Sequence, residues 1–167
     1  MSKVILNNLD SVAVVAGGLF AGTALYMTIG EIPALRAFGV DEHWRFFPLM
    51  YEKTAPSQAT LATVAGVASI VHATRIIGSP SDRNLWLLSG SIFIGIVPYT
   101  LFGMQPTNNL IINDNKRITS GNESQVNTDK RKEVLDKWAL LNLGRTVGSV
   151  VAFGAMVYGL SRHSSFR

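Results

Sequence analysis

Residues 11–30 read SVAVVAGGLFAGTALYMTIG, twenty in succession without a charge. As an α-helix rising 1.5 Å per residue, such a stretch reaches across the roughly 30 Å hydrocarbon core of a bilayer. Apolar and small residues surround it on every side instead of forming one stripe, the pattern of a helix that is buried all round or faces lipid. Three more segments follow the same rule. Ser57–Thr74 is uncharged over eighteen residues and closes on Arg75. Asn84–Asn113 is the longest uncharged run and predicts a helix from Leu85 to Met104, with Pro98 inside and Pro106 as its stop. Trp138–Leu160 carries one charge, Arg145. The expected fold class is all-α: an integral membrane four-helix bundle, a single domain over residues 1–167 with spans at about 11–31, 57–77, 85–105 and 138–160.

Length and composition agree, since 167 residues leave room for one domain. Hydrophobic residues make up 47% and charged residues 16%, against about 25% charge in a typical soluble domain. Mean hydropathy is +0.24. With no cysteine, disulfides, thiolate metal ligation and a cysteine nucleophile are excluded. His43, His72 and His163 are far apart in sequence, so no imidazole-based metal site is expected. Small residues four apart, Gly18/Gly22, Ala62/Gly66, Ser91/Gly95 and Gly144/Gly148, allow helix backbones to approach closely. Only Lys3 and Asp10 precede the first span, which is expected to stay in place and not to be cleaved as a signal peptide.

The net charge of +4 is spread over connecting segments, which reads as juxtamembrane charge and not as a nucleic-acid surface. Four spans put both termini on one side with Lys3, Arg75, Arg83, Arg162 and Arg167. The first and third loops hold nine basic residues against those five, which favours cytoplasmic loops one and three. In the first loop, after an exit at Pro33, Trp44, Phe47 and Tyr51 fall three or four apart and predict a short interfacial helix from Asp41 to Lys53, its regularity limited by Pro48. Asn113–Thr128 is expected to be a mobile surface loop, followed by a helix capped by Thr128 or Asp129.

Alternating helix direction places Glu31, Gln58, the Gln105–Asn109 segment, Asn142 and Arg145 toward one membrane face. Arg145 lies seven residues beyond Trp138, about 10 Å deeper in a helix. A charge at that depth is expected to face the bundle interior and to have a partner, for which Glu31 is the candidate. Thr107, Asn108, Asn109 and Asn142 add donors and acceptors. Two readings stand side by side: a polar cluster that fixes helix register, or a small pocket closed by Tyr26, Tyr51 and Trp138.

Gly18-Leu19-Phe20-Ala21-Gly22-Thr23-Ala24-Leu25-Tyr26, Glu31-Ile32-Pro33, Tyr51 with Gln58, Pro106-Thr107-Asn108-Asn109, and Trp138 with Arg145 occur in order through all four spans. On these motifs the chain resembles the DUF1772 membrane protein family, which includes the fungal anthrone oxygenases. The resemblance implies a monooxygenase-type oxidation of an anthrone, or a similar planar polyketide, by dioxygen without a cofactor. On that expectation Glu31 acts as base, and Arg145, Asn108, Asn109 and Gln58 donate to the oxyanion. Tyr26, Tyr51 and Trp138 stack on the substrate, with Thr107 and Asn142 completing the contacts. The expected partners are membrane lipid and a hydrophobic aromatic small molecule. The rival expectation is a non-catalytic accessory subunit or small-ligand-binding protein of a larger complex in an organelle membrane, endoplasmic reticulum or mitochondrial, with partner proteins on the basic Lys130–Lys137 segment.

The charge asymmetry yields a direct test. In intact vesicles, protease added on the cytoplasmic side should cut at Lys130–Lys137, and Asn122 of the Asn-Glu-Ser sequon should stay unglycosylated; a glycosylated Asn122 would reverse the orientation.

Overall fold

The computed structural model describes residues 8–164, with side chains to Arg162. Lys3 and Arg167, used in the charge count, and the His163 side chain lie outside the described residues. The described residues form four helical rods. The first joins α1 (Leu9–Tyr26), a wide π turn (Met27–Glu31) and α2 (Ile32–Phe38). The second is one helix, α3 (Val40–Ala73). The third joins α4 (Pro80–Pro98), a second wide turn (Tyr99–Met104) and α5 (Gln105–Thr119), and the fourth is α6 (Thr128–Ser164).

Leu9–Phe38, Pro80–Thr119 and Thr128–Arg162 are long and apolar enough to cross a membrane, and their buried share is 39% or less, so most of each apolar surface faces outward. Val15, Leu19, Leu140 and Val151 are among these exposed side chains. α3 carries the segment expected as the span at 57–77 but is not among the three, because polar residues, chiefly Gln58 and His72, dilute its apolar character.

Successive rods reverse direction. Leu9 and Ala13 share one core with Ala68, Ala73, Trp86 and Met156. Met27 and Ile32 share the other with Trp44, Phe47, Met104 and Trp138. α1 and α4 each pack against α3 and α6 and face each other across the diagonal. There Phe20 and Phe93 meet edge to face with centroids 5.8 Å apart.

Several boundaries differ from expectation. The Asp41–Lys53 stretch is helical but continuous with the following span, so α3 runs through Pro48 and Pro56. A proline removes the hydrogen bond to the carbonyl four residues back. For Pro48 that carbonyl is Trp44 O, and Asn115 Nδ2 donates to it at 2.8 Å. Pro33 and Pro106 are not stops either, because each falls in the first turn of a new α segment just after a wide turn, where its missing N–H costs nothing. The rod turns only at Gly39, whose φ of +130° favours glycine.

The expected loop from Asn113 shrinks to residues 120–127. α5 ends in a Schellman cap, with Asn122 N donating to Arg117 O and Gly121 N to Ile118 O, and Gly121 takes a φ of +79°. Asn127, not Thr128 or Asp129, caps α6 through Oδ1, which accepts from Lys130 N at 2.9 Å.

α3 and α4 approach most closely at Gly66 and Gly90, where a Cβ on Gly90 would lie 2.9 Å from Gly66 O. A Cβ on Gly22 would meet nothing within 4 Å. Gly90→Val should therefore lower stability by about 1–3 kcal/mol, since backbone obstructs it. Gly22→Ala should be neutral or stabilising by under about 1 kcal/mol. Thermal unfolding in detergent reads both; equal shifts would mean that the α3–α4 approach is not close-packed.

Candidate functional site

One cavity of about 230 Å³ draws on all four rods. α3 lines it with Ala55, Ala59 and Ala62, whose small side chains leave the space, and opposite them the wide turn Tyr99–Met104 supplies Thr100, Leu101 and Met104. Phe20 and Met27, seven residues apart and hence on one helix face, come from the first rod. Tyr51 and Trp138 wall the outer end. Phe47 braces both, stacked on Tyr51 at 6.0 Å and edge-on to Trp138 at 5.1 Å.

Besides the hydroxyls of Tyr51, Thr54 and Thr100, three amides and a guanidinium line this mostly apolar space: Gln58 from α3, Gln105 and Asn108 from α5, and Arg145 from α6. Gln105 is internally satisfied, accepting from Tyr51 Oη at 3.0 Å and donating to Asn109 Oδ1 at 2.9 Å. The other three are not. Gln58 Oε1, Asn108 Oδ1 and Arg145 Nε are buried without a hydrogen-bond partner, although native structures satisfy nearly all such atoms. They come from three helices and line one cavity. Arg145 also has no carboxylate partner among the described residues; Nη2 donates to Asn142 Oδ1 at 2.6 Å, and the guanidinium lies 5.7 Å from the centroid of the Phe20 ring.

The structure thus brings Tyr51, Gln58, Asn108, Trp138 and Arg145 to one cavity and sets Asn142 directly behind Arg145. Thr107 is buried but does not line the cavity, and Asn109 is on the exposed side of α5. Tyr26 points outward with 64% of its surface exposed. Glu31 is part-exposed at the end of the first wide turn, lines no part of the cavity, and makes no ion pair or hydrogen bond among the described residues. The expected Glu31–Arg145 pair is therefore absent. Sequence reading missed Phe20, Met27, Met50 and Met104 as lining residues, because their apolar side chains carry no signal beyond that of core.

A second polar group is paired within itself except at Arg131 Nε, which is buried without a hydrogen-bond partner. Asp114 accepts from Trp44 Nε1 (3.0 Å), Ser124 Oγ (2.8 Å) and Gln125 N (3.0 Å), and Arg131 bridges it (3.7 Å) to Asp41 (2.6 Å). It ties the 120–127 loop to the bundle. Among the described residues no three His, Cys, Asp or Glu side chains group closely enough to hold a metal.

Fold and site define a helical membrane bundle enclosing an apolar cavity that presents a cation and two amides. Residues 47–155 match the family model described as anthrone oxygenase, well over half of the chain. The protein belongs to the anthrone oxygenase family. It is similar to anthrone oxygenase AgnL2 of Paecilomyces divaricatus, 25% identical over 143 residues that cover 83% of this chain and 86% of that protein. No solved structure matches.

His43 packs edge-on to Trp138 from outside the cavity, with centroids 6.5 Å apart. Burial, reinforced by Arg36 and opposed by Asp136, holds its imidazole down at about 4. Between pH 6.5 and about 4 the unfolded chain takes up a proton at His43 that the folded chain does not, so stability should fall as pH falls through that window. His43→Gln should flatten this part of the melting-temperature profile; an unchanged slope would show that His43 does not contribute to it.

Proposed function

We propose that the cavity binds a planar hydroxylated aromatic of the anthrone type and promotes its oxidation by dioxygen without a cofactor. The observation that carries this reading is the convergence of three unpartnered buried polar atoms, one of them on a cation, in a cavity with aromatic and methionine walls. Family membership supports the reaction class, and the relative's name supports an anthrone as substrate.

The chemistry suits the residues. Loss of a proton from the methylene carbon of an anthrone gives an aromatic oxyanion. A guanidinium in a low-dielectric site stabilises that charge far more than water-exposed groups do. The amides of Gln58 and Asn108 take the ring hydroxyls, and Trp138 and Tyr51 hold the ring plane. The anion passes one electron to dioxygen, and the resulting radical pair joins as a carbon–oxygen bond. Protonation gives a hydroperoxide. Loss of the remaining proton at that carbon then forms the new carbonyl as the O–O bond breaks and hydroxide departs, leaving as water. One oxygen atom ends in the quinone and one in water, so no external reductant is consumed. Because no carboxylate is among the described lining residues, Arg145 acts by making the bound substrate more acidic, and water takes the first proton. In this reading Glu31 has no role as base.

Purified protein in detergent micelles should accelerate quinone formation from emodin anthrone under air, with one atom from labelled dioxygen in the product. Arg145→Gln should lower the excess rate by about 10²-fold, the effect of losing one oxyanion donor. Binding without acceleration would instead identify a ligand-binding protein.

A further inference from the structure

We propose that Thr28 is a positioning residue for Arg145, acting through the side-chain amide of Asn142; this rests on the oxyanion role given to Arg145 above. Thr28 does not line the cavity. It is the second residue of the wide turn Met27–Glu31, which interrupts the first rod beside α6. Its hydroxyl accepts from Asn142 Nδ2 at 3.0 Å, while the amide oxygen of Asn142 accepts from Arg145 Nη2 at 2.6 Å. The chain therefore runs Thr28, Asn142, Arg145, across two rods.

Donor accounting gives this chain its direction. Asn142 is fully buried, so its amide has no water to turn to. Flipped by 180°, it would set its NH₂ against the guanidinium, donor against donor. Arg145, a donor at every nitrogen, and Thr28, an acceptor for Asn142, together select one orientation. Thr28 keeps its acceptor role because its own proton has a nearby acceptor in Ala24 O at 3.0 Å, a carbonyl that the Thr146 hydroxyl also reaches at 3.1 Å. Among the described residues the guanidinium hydrogen-bonds only to Asn142, and it lies 5.7 Å from the face of Phe20. Without the acceptor at position 28, the buried NH₂ of Asn142 would be left unsatisfied, and the amide that holds Nη2 would be fixed by Arg145 alone. The guanidinium would then be less firmly oriented at the cavity that Arg145 lines.

The alternative is that Thr28 only fastens the first rod to α6. Thr146 separates the two roles. Its hydroxyl is buried in the same contact and touches Thr28 at 2.8 Å, yet it meets Asn142 at the backbone carbonyl (3.0 Å) and not at the side-chain amide. A fastening role makes Thr28→Val and Thr146→Val alike, whereas a positioning role singles out Thr28.

The test measures binding of a dihydroxyanthraquinone, an unreactive planar probe, to full-length protein in micelles by tryptophan quenching, alongside oxidation of emodin anthrone and thermal unfolding. Thr28→Val should weaken probe binding about tenfold. Thr28→Ser, which restores the hydroxyl, and Thr146→Val should stay within about twofold of wild type. In an Arg145→Ala background Thr28→Val should cause no further loss. If Thr28→Val is not recovered folded, Thr28→Ala carries the same expectation. Equal melting-temperature losses in both valine variants with unchanged affinity would overturn the proposal, as would an undiminished effect of Thr28→Val in the Arg145→Ala background. A wild type that binds the probe but does not speed oxidation would sink the proposed reaction and leave the positioning role to be judged on affinity. A wild type that does not bind the probe would overturn both.

Discussion

A guanidinium inside a bundle of apolar helices has to be oriented and stabilised by something, and among the described residues no carboxylate does it. Arg145 rests on one amide and one aromatic face. A paired carboxylate would neutralise it and leave a structural ion pair, often no more stable than an apolar contact. Neutral dipoles instead hold the cation in place without cancelling its charge, so the cavity keeps a positive potential in surroundings of low dielectric. The Asn142 contact, the polar side of α5 and the absence of carboxylates from the cavity wall all follow that constraint.

The bundle is built differently at its two ends. Toward the chain termini the core is mostly alanine, with Trp86, Phe93 and Phe20 between the helices, and Gly66 and Gly90 bring α3 and α4 to backbone contact. Toward the loops it changes to aromatic residues and methionine. The cavity lies where the two cores meet, with Phe20, Ala62 and Ile96 from one and Met27, Met50, Met104 and Trp138 from the other. Unbranched methionine adapts its shape at little cost, which suits a wall that receives a flat ligand. The close-packed end supplies the rigidity.

The helices were legible because charge is scarce and its placement marks where hydrophobic stretches end. Their boundaries were less so. Proline reads as a stop in isolation, but at Pro48 the orphaned carbonyl finds Asn115, seventy residues away in sequence and invisible to local pattern. α5 escaped notice because its buried stripe, Thr107, Asn108, Ile111, Asp114 and Asn115, has helical spacing written mostly in polar residues. For the site, alternating helix direction was enough to bring Gln58, Asn108, Trp138 and Arg145 together. It failed for Tyr26 and Glu31. Tyr26 is one residue off the face defined by Phe20 and Met27, a rotation of about 100°. Glu31 would share Met27's face in a regular helix, but the wide turn between them changes the register.

A separate set of contacts connects the loop end of the molecule to the cavity. Asp114 anchors the 120–127 loop and takes the Trp44 indole, while Asn115, the next residue, takes the Trp44 carbonyl. Trp44 is thus held at both its backbone and its ring. One turn further along α3, Phe47 lies between Tyr51 and Trp138. The polar contacts outside the cavity therefore fix the aromatic layer that walls it, and the same helix continues to Gln58. Wall and polar contact are carried on one rod, so a ligand-sized space can persist in a region where soft side chains alone would collapse into it.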